Sequence, residues 1–199
     1  HPNVCGYISK TFYEGRLWHA QQTENQGLVL NGPLAEQFAA TGVYCHPVDH
    51  DGNSQKSMEE AQAIKALYVE LMKQRFVGPK GQVLPMNAEE IVVVAPYNAQ
   101  VNLLKRVLPE GARVGTVDKF QGQEAQVVLV SMATSNEHHM PRYLEFLFSR
   151  NRLNVAISRA KSLAVIVMSP GLAEVRSEKS ENLKLLNNFV YLLKNLTTT

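Results

Sequence analysis

Apolar residues along the chain form two kinds of pattern, short continuous runs and runs at helical spacing. The continuous runs predict strands at residues 27–31, 43–48, 91–95, 113–117, 126–131 and 163–168. The helical spacings predict helices near the amino terminus and at residues 57–75, 98–108, 151–160 and 181–196. Strands that alternate with helices favour parallel βαβ units, so the pattern predicts an α/β fold with a mostly parallel sheet sandwiched by helices.

We expect residues 1–199 to form a single domain, whose parts are marked by local sequence signals. Ser57 and Glu60 have the spacing of a capping box, which marks the start of the helix predicted to end near Arg75. Residues 78–85 are turn-rich and predict a connection into the buried strand at 91–95. We expect a lead-in helix and strand at 1–30, an insert and long helix at 31–90, the chemistry-bearing segments at 91–168 and a C-terminal helix within 169–199.

Composition narrows the function classes. Twenty Lys and Arg against eighteen Asp and Glu give a formal charge of +2, so any nucleic-acid contact must come from a local groove rather than from bulk charge. The two cysteines lie far apart, and no apolar run is long enough to span a membrane, which favours a reducing, cytoplasmic setting. The chain begins His1-Pro2 without a methionine, and we expect it to be a piece of a longer protein.

Ligands of parallel α/β sheets bind at the carboxyl ends of the strands. At this edge the sequence would gather Pro96-Tyr97, the segment Thr116 to Glu124 and the loop after Ser131. We therefore expect the chemistry-bearing residues to lie at a single edge of the sheet.

The segment 120–124 is a polar turn that contains a glycine. Gly122 would let backbone amides approach a phosphate, while an adjacent amide or carboxylate, from Gln121 or Glu124, would bind ribose hydroxyls or order a water molecule. The alternative is a plain polar turn in which Gly122 only supplies a positive φ angle.

The predicted helix 151–160 carries two arginines. Arg152 and Arg159 are seven residues apart, close to two helical turns, which predicts that they share one helix face. A planar guanidinium can fork onto a γ-phosphate, which makes Arg159 the candidate arginine finger. The alternative is that Arg159 and Lys161 only complement the negative end of the helix dipole.

The buried strand 91–95 breaks at Pro96 and delivers polar groups to a helix start. Tyr97, Asn98 and Gln100 could line a nucleic-acid channel by base stacking and backbone contacts. The alternative is that Tyr97 is a hydrophobic plug and that Asn98 is a helix cap.

Loop histidines and aspartates without a rigid spacing are poor metal-site candidates. His46, Asp49, His50 and Asp51 form one such group and His138-His139 another, and we assign a metal to neither.

Taken in order, these segments resemble the second RecA-like domain (2A) of superfamily 1 helicases. They are most similar to the 1B group, which includes the nonsense-mediated-decay RNA helicase and the replication helicase-nuclease. The matching segments are His1-Pro2, Phe12–Leu17, motif IV at Val94–Gln100, motif V at Thr116–Glu124 and motif VI at Arg152–Ala160. The resemblance implies a RecA-like P-loop NTPase fold that lacks its own P-loop.

The resemblance also implies roles for the site residues. Gly122 would approach the γ-phosphate of ATP, Glu124 the ribose, and Arg159 would be the finger, with Gln121 and Arg152 completing the nucleotide set. The nucleic-acid set would be Tyr97, Asn98, Gln100, Thr116 and Lys119. The gap between Gln100 and Gly115 is too short for the large insertion of other superfamily 1 helicases, which favours this branch and, by analogy, 5′-to-3′ movement.

The chain departs from the family pattern in several places. Asn151, Thr134 and Ser158 stand where the family usually has arginine, arginine and threonine, respectively. No Gly-x-x-x-x-Gly-Lys-Ser/Thr loop occurs, and Glu89-Glu90 precedes its strand, whereas a Mg²⁺-handling acidic pair would follow one. ATP and Mg²⁺ would therefore be shared with an upstream RecA-like domain, and we expect this fragment alone to be inactive.

The expected partners are single-stranded DNA or RNA, the upstream RecA-like domain and, in some arrangements, a fused nuclease. The alternative is a non-catalytic RecA-like module that binds nucleic acid or protein, with or without an attached nuclease. A small-molecule enzyme on a doubly wound sheet ranks last, because the chain has no Gly-x-Gly-x-x-Gly turn after a strand.

Overall fold

The computed structural model describes residues 1–136 and 150–173, together with Leu193 and Thr197–Thr198. Its helices are α1 (Pro2–Phe12), α2 (Pro33–Gln37), α3 (Met58–Leu71), α4 (Asn98–Val107) and α5 (Arg150–Ile157). Its strands are β1 (Gly27–Val29), β2 (Gly42–Pro47), β3 (Arg75–Val77), β4 (Val83–Pro85), β5 (Ile91–Val94), β6 (Arg113–Gly115), β7 (Ala125–Ser131), β8 (Ala160–Met168) and β9 (Thr197–Thr198). Apart from Leu193, the helix predicted at 181–196 lies outside the described residues, as do His138 and His139.

The main sheet has six described strands in the order β6-β5-β7-β8-β2-β9, and each neighbouring pair is parallel. Strand β7 lies at its centre and is buried at every position. This burial on both faces is the reason that the central strands are continuous apolar runs. The predicted α/β fold with a mostly parallel sheet is confirmed.

Helices cover both faces of this sheet, and the alternation of side chains along each strand assigns them to two cores. On β5, Val92 and Val94 face a core that includes residues of α1 and α5. Ile91 and Val93 face the opposite core, which is formed with α3 and α4. Fully burying one such aliphatic side chain contributes about 1.5–3 kcal/mol, so the two cores account for most of the favourable folding energy.

A second, three-stranded antiparallel sheet in the order β1-β3-β4 lies outside the main sheet. The strand predicted at 27–31 belongs to this small sheet rather than to the parallel one. The helix predicted to reach Arg75 ends at Leu71, because Arg75 begins β3. The turn-rich segment 78–85 includes the hairpin tip and β4, with Gly81 at a φ of 77°.

Helix α5 is shorter than predicted. It ends at Ile157, and Ala160 begins β8, so Arg159 lies in the turn between the two elements. The helical-spacing argument for Arg152 and Arg159 is therefore wrong, because the second arginine is beyond the last helical residue. No described helix is long and apolar enough to cross a membrane.

Candidate functional site

The candidate site residues lie at two opposite edges of the parallel sheet. Thr116 follows the carboxyl end of β6, whereas Glu124 immediately precedes the amino end of β7. Residues 117–123 connect the carboxyl edge to the amino edge, as any segment between two parallel strands of one sheet must. The expectation of a single carboxyl edge is thus wrong for Glu124.

The amino edge carries a groove of about 610 Å³, within the size range of small-ligand pockets. We call it the amino-edge groove, and its polar lining includes Tyr13, Glu124, Asn154, Ser158, Arg159 and Lys161. Two residues predicted to bind nucleotide, Glu124 and Arg159, therefore meet in one cavity although they come from separate motifs.

Local hydrogen bonds orient the guanidinium of Arg159. Its Nε donates to the carbonyl oxygen of Val155 at 3.1 Å, and its Nη2 donates to Oγ of Ser158 at 3.1 Å. These bonds use two of the five N–H donors of an arginine. A half-buried guanidinium held in this way can present its other donors to an anion in the amino-edge groove.

A second set of contacts holds the segment before β7. Arg113 donates from Nη2 to Oε1 of Gln123 at 2.7 Å, and its guanidinium lies 5.8 Å from the centre of the Phe120 ring. These contacts tie the start of β6 to the residues just before Glu124. The carboxylate of Glu124 itself is approached by Lys161, whose Nζ lies 3.7 Å from Oε2 of Glu124.

Two predicted nucleotide-binding residues, Gln121 and Gly122, do not line this groove. Both are exposed, and Gly122 has a φ of 78°, a conformation that favours glycine. Gly122 thus meets the backbone requirement of the plain-turn alternative. Its approach to a phosphate, and the role of Gln121, stay predictions.

The opposite edge carries four other predicted residues, Tyr97, Asn98, Thr116 and Arg152, which we call the carboxyl-edge surface. Thr116 and Arg152 line one apolar pocket that also includes Pro96. Arg152 was predicted to join the nucleotide set, but its side chain lies at the edge opposite Arg159. Helix α5 runs between the two edges, with Arg152 in its first turn and Arg159 beyond its last residue, which explains why the two arginines are separated.

Tyr97 and Asn98 lie at the start of α4, at the carboxyl edge. Tyr97 is the N-cap residue, so the alternative that Asn98 caps the helix is wrong, and Asn98 is an exposed first helical residue. The ring of Tyr97 packs partly against the core, and burial raises the pKa of its hydroxyl, with an opposing contribution from a hydrogen bond with Thr134. Tyr97 therefore serves in part as the hydrophobic plug considered from the sequence.

The side chain of Lys119 folds back onto the domain. Its Nζ donates to the carbonyl oxygen of Val114 at 3.0 Å and lies 5.5 Å from the centre of the Phe120 ring. The residue is nevertheless exposed, and its contact with nucleic acid stays a prediction.

Gln100 requires a correction. Its side chain has no exposed surface, and its amide accepts a hydrogen bond from the backbone N–H of Ser57 at 2.8 Å. The same amide donates to the carbonyl oxygen of Ser57 at 3.0 Å and to Oγ of Ser131 at 2.9 Å. A fully buried side chain with these partners joins α4 to α3 and β7, and it has no surface to offer to a nucleic acid.

Glu60 forms the centre of the same buried cluster. Its carboxylate accepts from Oγ of Ser131 at 2.6 Å and from the backbone N–H of Ala133 at 2.9 Å, and it lies 2.9 Å from Nε2 of His50. The capping box is therefore only half formed. Ser57 Oγ does accept from the N–H of Glu60, but the Glu60 side chain turns to the end of β7 instead of to Ser57.

The loop polar groups near His50 are occupied by the protein itself. Nδ1 of His50 lies 2.7 Å from Oγ of Ser135, and Thr134 donates its hydroxyl to the carbonyl oxygen of Ser54 at 2.5 Å. Within residues 1–136 and 150–173, no group of three or more His, Cys, Asp or Glu side chains is placed to hold a metal ion.

Comparison with known proteins points to one family. The AAA domain family matches residues 1–170. The chain is 33% identical over 178 residues to the DNA polymerase alpha-associated DNA helicase A of Saccharomyces cerevisiae, a match that covers 82% of the chain and 25% of that protein. It is 28% identical over 176 residues to the Regulator of nonsense transcripts 1 homolog of Arabidopsis thaliana, covering 85% of the chain and 14% of that protein.

The chain spans only a quarter or less of the length of these two relatives. The family match nevertheless covers most of the sequence, including both edges of the sheet described above. The chain therefore belongs to the AAA domain family and is a superfamily 1 helicase domain of the type found in the nonsense-mediated-decay helicase.

Proposed function

We propose that this domain is the part of an ATP-dependent nucleic-acid helicase or translocase that contributes the arginine finger and part of the nucleic-acid channel. The observation that carries the proposal is the meeting of Glu124 and Arg159 in the amino-edge groove. ATP would bind between this groove and an upstream RecA-like domain of the same polypeptide. Closure of that cleft would bring Arg159 to the γ-phosphate.

The donor set of the amino-edge groove fits a nucleoside triphosphate. Arg159 and Lys161 are cations suited to phosphate oxygens, and the carboxylate of Glu124 can accept from ribose hydroxyls. The metal ion would be held by the triphosphate and by the upstream domain, because this chain has no P-loop to supply a ligand for it.

The carboxyl-edge surface is the proposed path of the nucleic-acid strand. Tyr97 offers a partly exposed ring, and Asn98 and Thr116 offer polar groups. The half-buried guanidinium of Arg152 lines the same pocket as Thr116. Rings stack on bases, and guanidiniums bind backbone phosphates. This arrangement supports a change of role for Arg152, from nucleotide binding to strand binding.

The direct test is ATP hydrolysis by the full-length protein with and without single-stranded RNA or DNA. We expect the strand to stimulate hydrolysis, because cleft closure and strand contact involve the same domain. A protein that binds the strand without hydrolysing ATP would instead be a non-catalytic platform. Comparison of RNA with DNA in this assay identifies the substrate.

A second test separates the two edges. Arg152→Ala should weaken binding of the single strand about tenfold, because a hydrogen bond to a charged group contributes about 1.5–3 kcal/mol. It should also reduce the salt dependence of binding by about 0.7 in the slope of log K against log salt, as expected for one lost phosphate contact. The measurement is fluorescence anisotropy of a labelled strand across a salt series.

Arg106→Ala is the matched control for this experiment. Arg106 is an exposed arginine in the last turn of α4, towards the amino edge, and its loss should leave strand binding unchanged. If Arg152→Ala instead raises the KM for ATP and leaves strand affinity intact, Arg152 is a nucleotide-binding residue and not a strand-binding one.

A further inference from the structure

Strands β7 and β8 change register near the amino-edge groove. Ala125 pairs with Ala160, but Val127 pairs with Leu163. Gln126 on β7 therefore lies opposite two residues of β8, Lys161 and Ser162. Such a register change marks a bulge or a similar irregularity of the ladder, and bulges are common beside functional sites.

The two residues at the bulge have different surroundings. Ser162 is fully buried, and its hydroxyl donates to Oε1 of Gln126 at 2.8 Å. Lys161 instead lines the amino-edge groove with Glu124 and Arg159. At the register change, the side chain of Lys161 thus lines the groove, whereas the next side chain, Ser162, is hydrogen-bonded inside the sheet.

The ion pair made by Lys161 is weak enough to be exchanged. Its Nζ is 3.7 Å from Oε2 of Glu124, and the two side chains are 40% and 61% exposed. Exposed pairs of this kind contribute little to stability, so a ligand that binds both groups can replace the pair at little cost. An ammonium and a carboxylate side by side match a phosphate oxygen and a ribose hydroxyl, respectively.

We infer that Lys161 is a phosphate-binding residue of the amino-edge groove and that Glu124 is its partner only in the nucleotide-free domain. This inference rests on the proposed function of the groove. When ATP binds, the carboxylate of Glu124 accepts from the ribose hydroxyls, and the ammonium of Lys161 donates to an oxygen of the triphosphate. Lys161 acts in binding, whereas Arg159 acts on the transferred phosphoryl group.

The test is steady-state ATP hydrolysis by the full-length protein. Lys161→Ala should raise the KM for ATP about tenfold, the loss expected for one charge-assisted hydrogen bond, and should leave kcat within about twofold. Lys161→Arg keeps the charge and should restore most of the binding. Lys73→Ala is the matched control, because Lys73 pairs with Glu70 at 2.5 Å on the surface and does not line the groove.

A double variant separates phosphate binding from mere support of Glu124. If Lys161 contacts phosphate directly, Lys161→Ala should still raise the KM about tenfold in a protein that already carries Glu124→Gln. If Lys161 only positions Glu124, its removal should have no further effect in that background. That second result would overturn the inference.

The outcomes also distinguish this inference from the proposed function. Wild-type protein that neither binds nor hydrolyses ATP would contradict both the proposed function and the role of Lys161. Wild-type protein that hydrolyses ATP, with Lys161→Ala indistinguishable from Lys73→Ala, would remove only the role of Lys161. A fall in kcat as large as that of an Arg159 variant would also contradict the inference, since it would make Lys161 a catalytic rather than a binding residue.

Discussion

Replacing Arg159 with alanine in the full-length protein should lower the kcat for ATP hydrolysis by about 10³-fold or more, the effect expected for loss of an arginine finger. Its guanidinium is oriented by Val155 and Ser158 and lines the amino-edge groove. The residue would act on charge that develops in the transition state, so the loss should appear in kcat more than in KM. The measurement is ATP turnover at saturating single strand.

Two comparisons make this prediction specific. Arg159→Lys should recover little activity, because an ammonium is a point charge and lacks the planar fork of a guanidinium. Arg75→Ala removes an exposed arginine of the small sheet and should leave turnover unchanged. Strand affinity should survive in Arg159→Ala, because Arg159 is at the edge opposite Thr116. Unchanged turnover in Arg159→Ala would remove the residue from the mechanism.

The elements of the fold that follow from local pattern were predictable. The run Ile91–Val94 needs only its apolar composition to identify it as a strand buried on both faces, and the structure buries all four residues. The small sheet was missed because β3 and β4 have three residues each, too few for periodicity to show. Their pairing depends on the hairpin turn at Gly81, and from the sequence alone this turn looks like part of a loop.

The positions of the candidate site residues were less predictable than their identities. Motif V begins at Thr116 and ends at Glu124, and the rule that ligands bind at the carboxyl ends of parallel strands predicted one edge for the whole segment. The parallel connection places its two ends at opposite edges of the sheet, as β6 ends at Gly115 and β7 begins at Ala125. The position of Arg159 was also mispredicted. The helix ends at Ile157, so helical spacing does not apply to Arg159.

The buried role of Gln100 could not be read from its neighbours. Polar residues at a helix start are usually exposed, and the partners of Gln100 lie 43 and 31 residues away in sequence. Lys161 was considered only as a complement to the helix dipole. Its place in the groove beside Glu124 depends on how β7 and β8 are paired, which the sequence does not reveal.

The buried cluster around Glu60 leads to the largest expected effect on stability. Glu60 and His50 both have side chains with no exposed surface, and they lie 2.9 Å apart. The same carboxylate holds the N–H of Ala133, a residue with a positive φ of 67°. A non-glycine residue in this conformation carries strain that its surroundings must offset. Glu60 thus fixes the backbone at the end of β7.

Glu60→Ala should lower the free energy of unfolding of the 199-residue chain by about 3 kcal/mol or more, because leaving one buried polar group without its partner costs about 1–3 kcal/mol. The physical reason is the loss of an acceptor for three buried groups, on His50, Ser131 and Ala133, each of which is costly to leave unsatisfied. Urea unfolding followed by circular dichroism measures the change. Glu60→Gln keeps the shape and one acceptor oxygen, so its loss should be smaller.

Glu59→Ala is the matched control, because it removes the neighbouring carboxylate in the same helical turn. Glu59 is exposed and bonds to Asn53 Nδ2 at 2.8 Å and to Ser57 Oγ at 2.9 Å, so its loss should cost about 1 kcal/mol or less. The contrast between adjacent residues isolates burial from helix propensity. Equal destabilisation by the two variants would mean that the buried cluster contributes no more than the exposed cap, and that the end of β7 is held by its apolar packing alone.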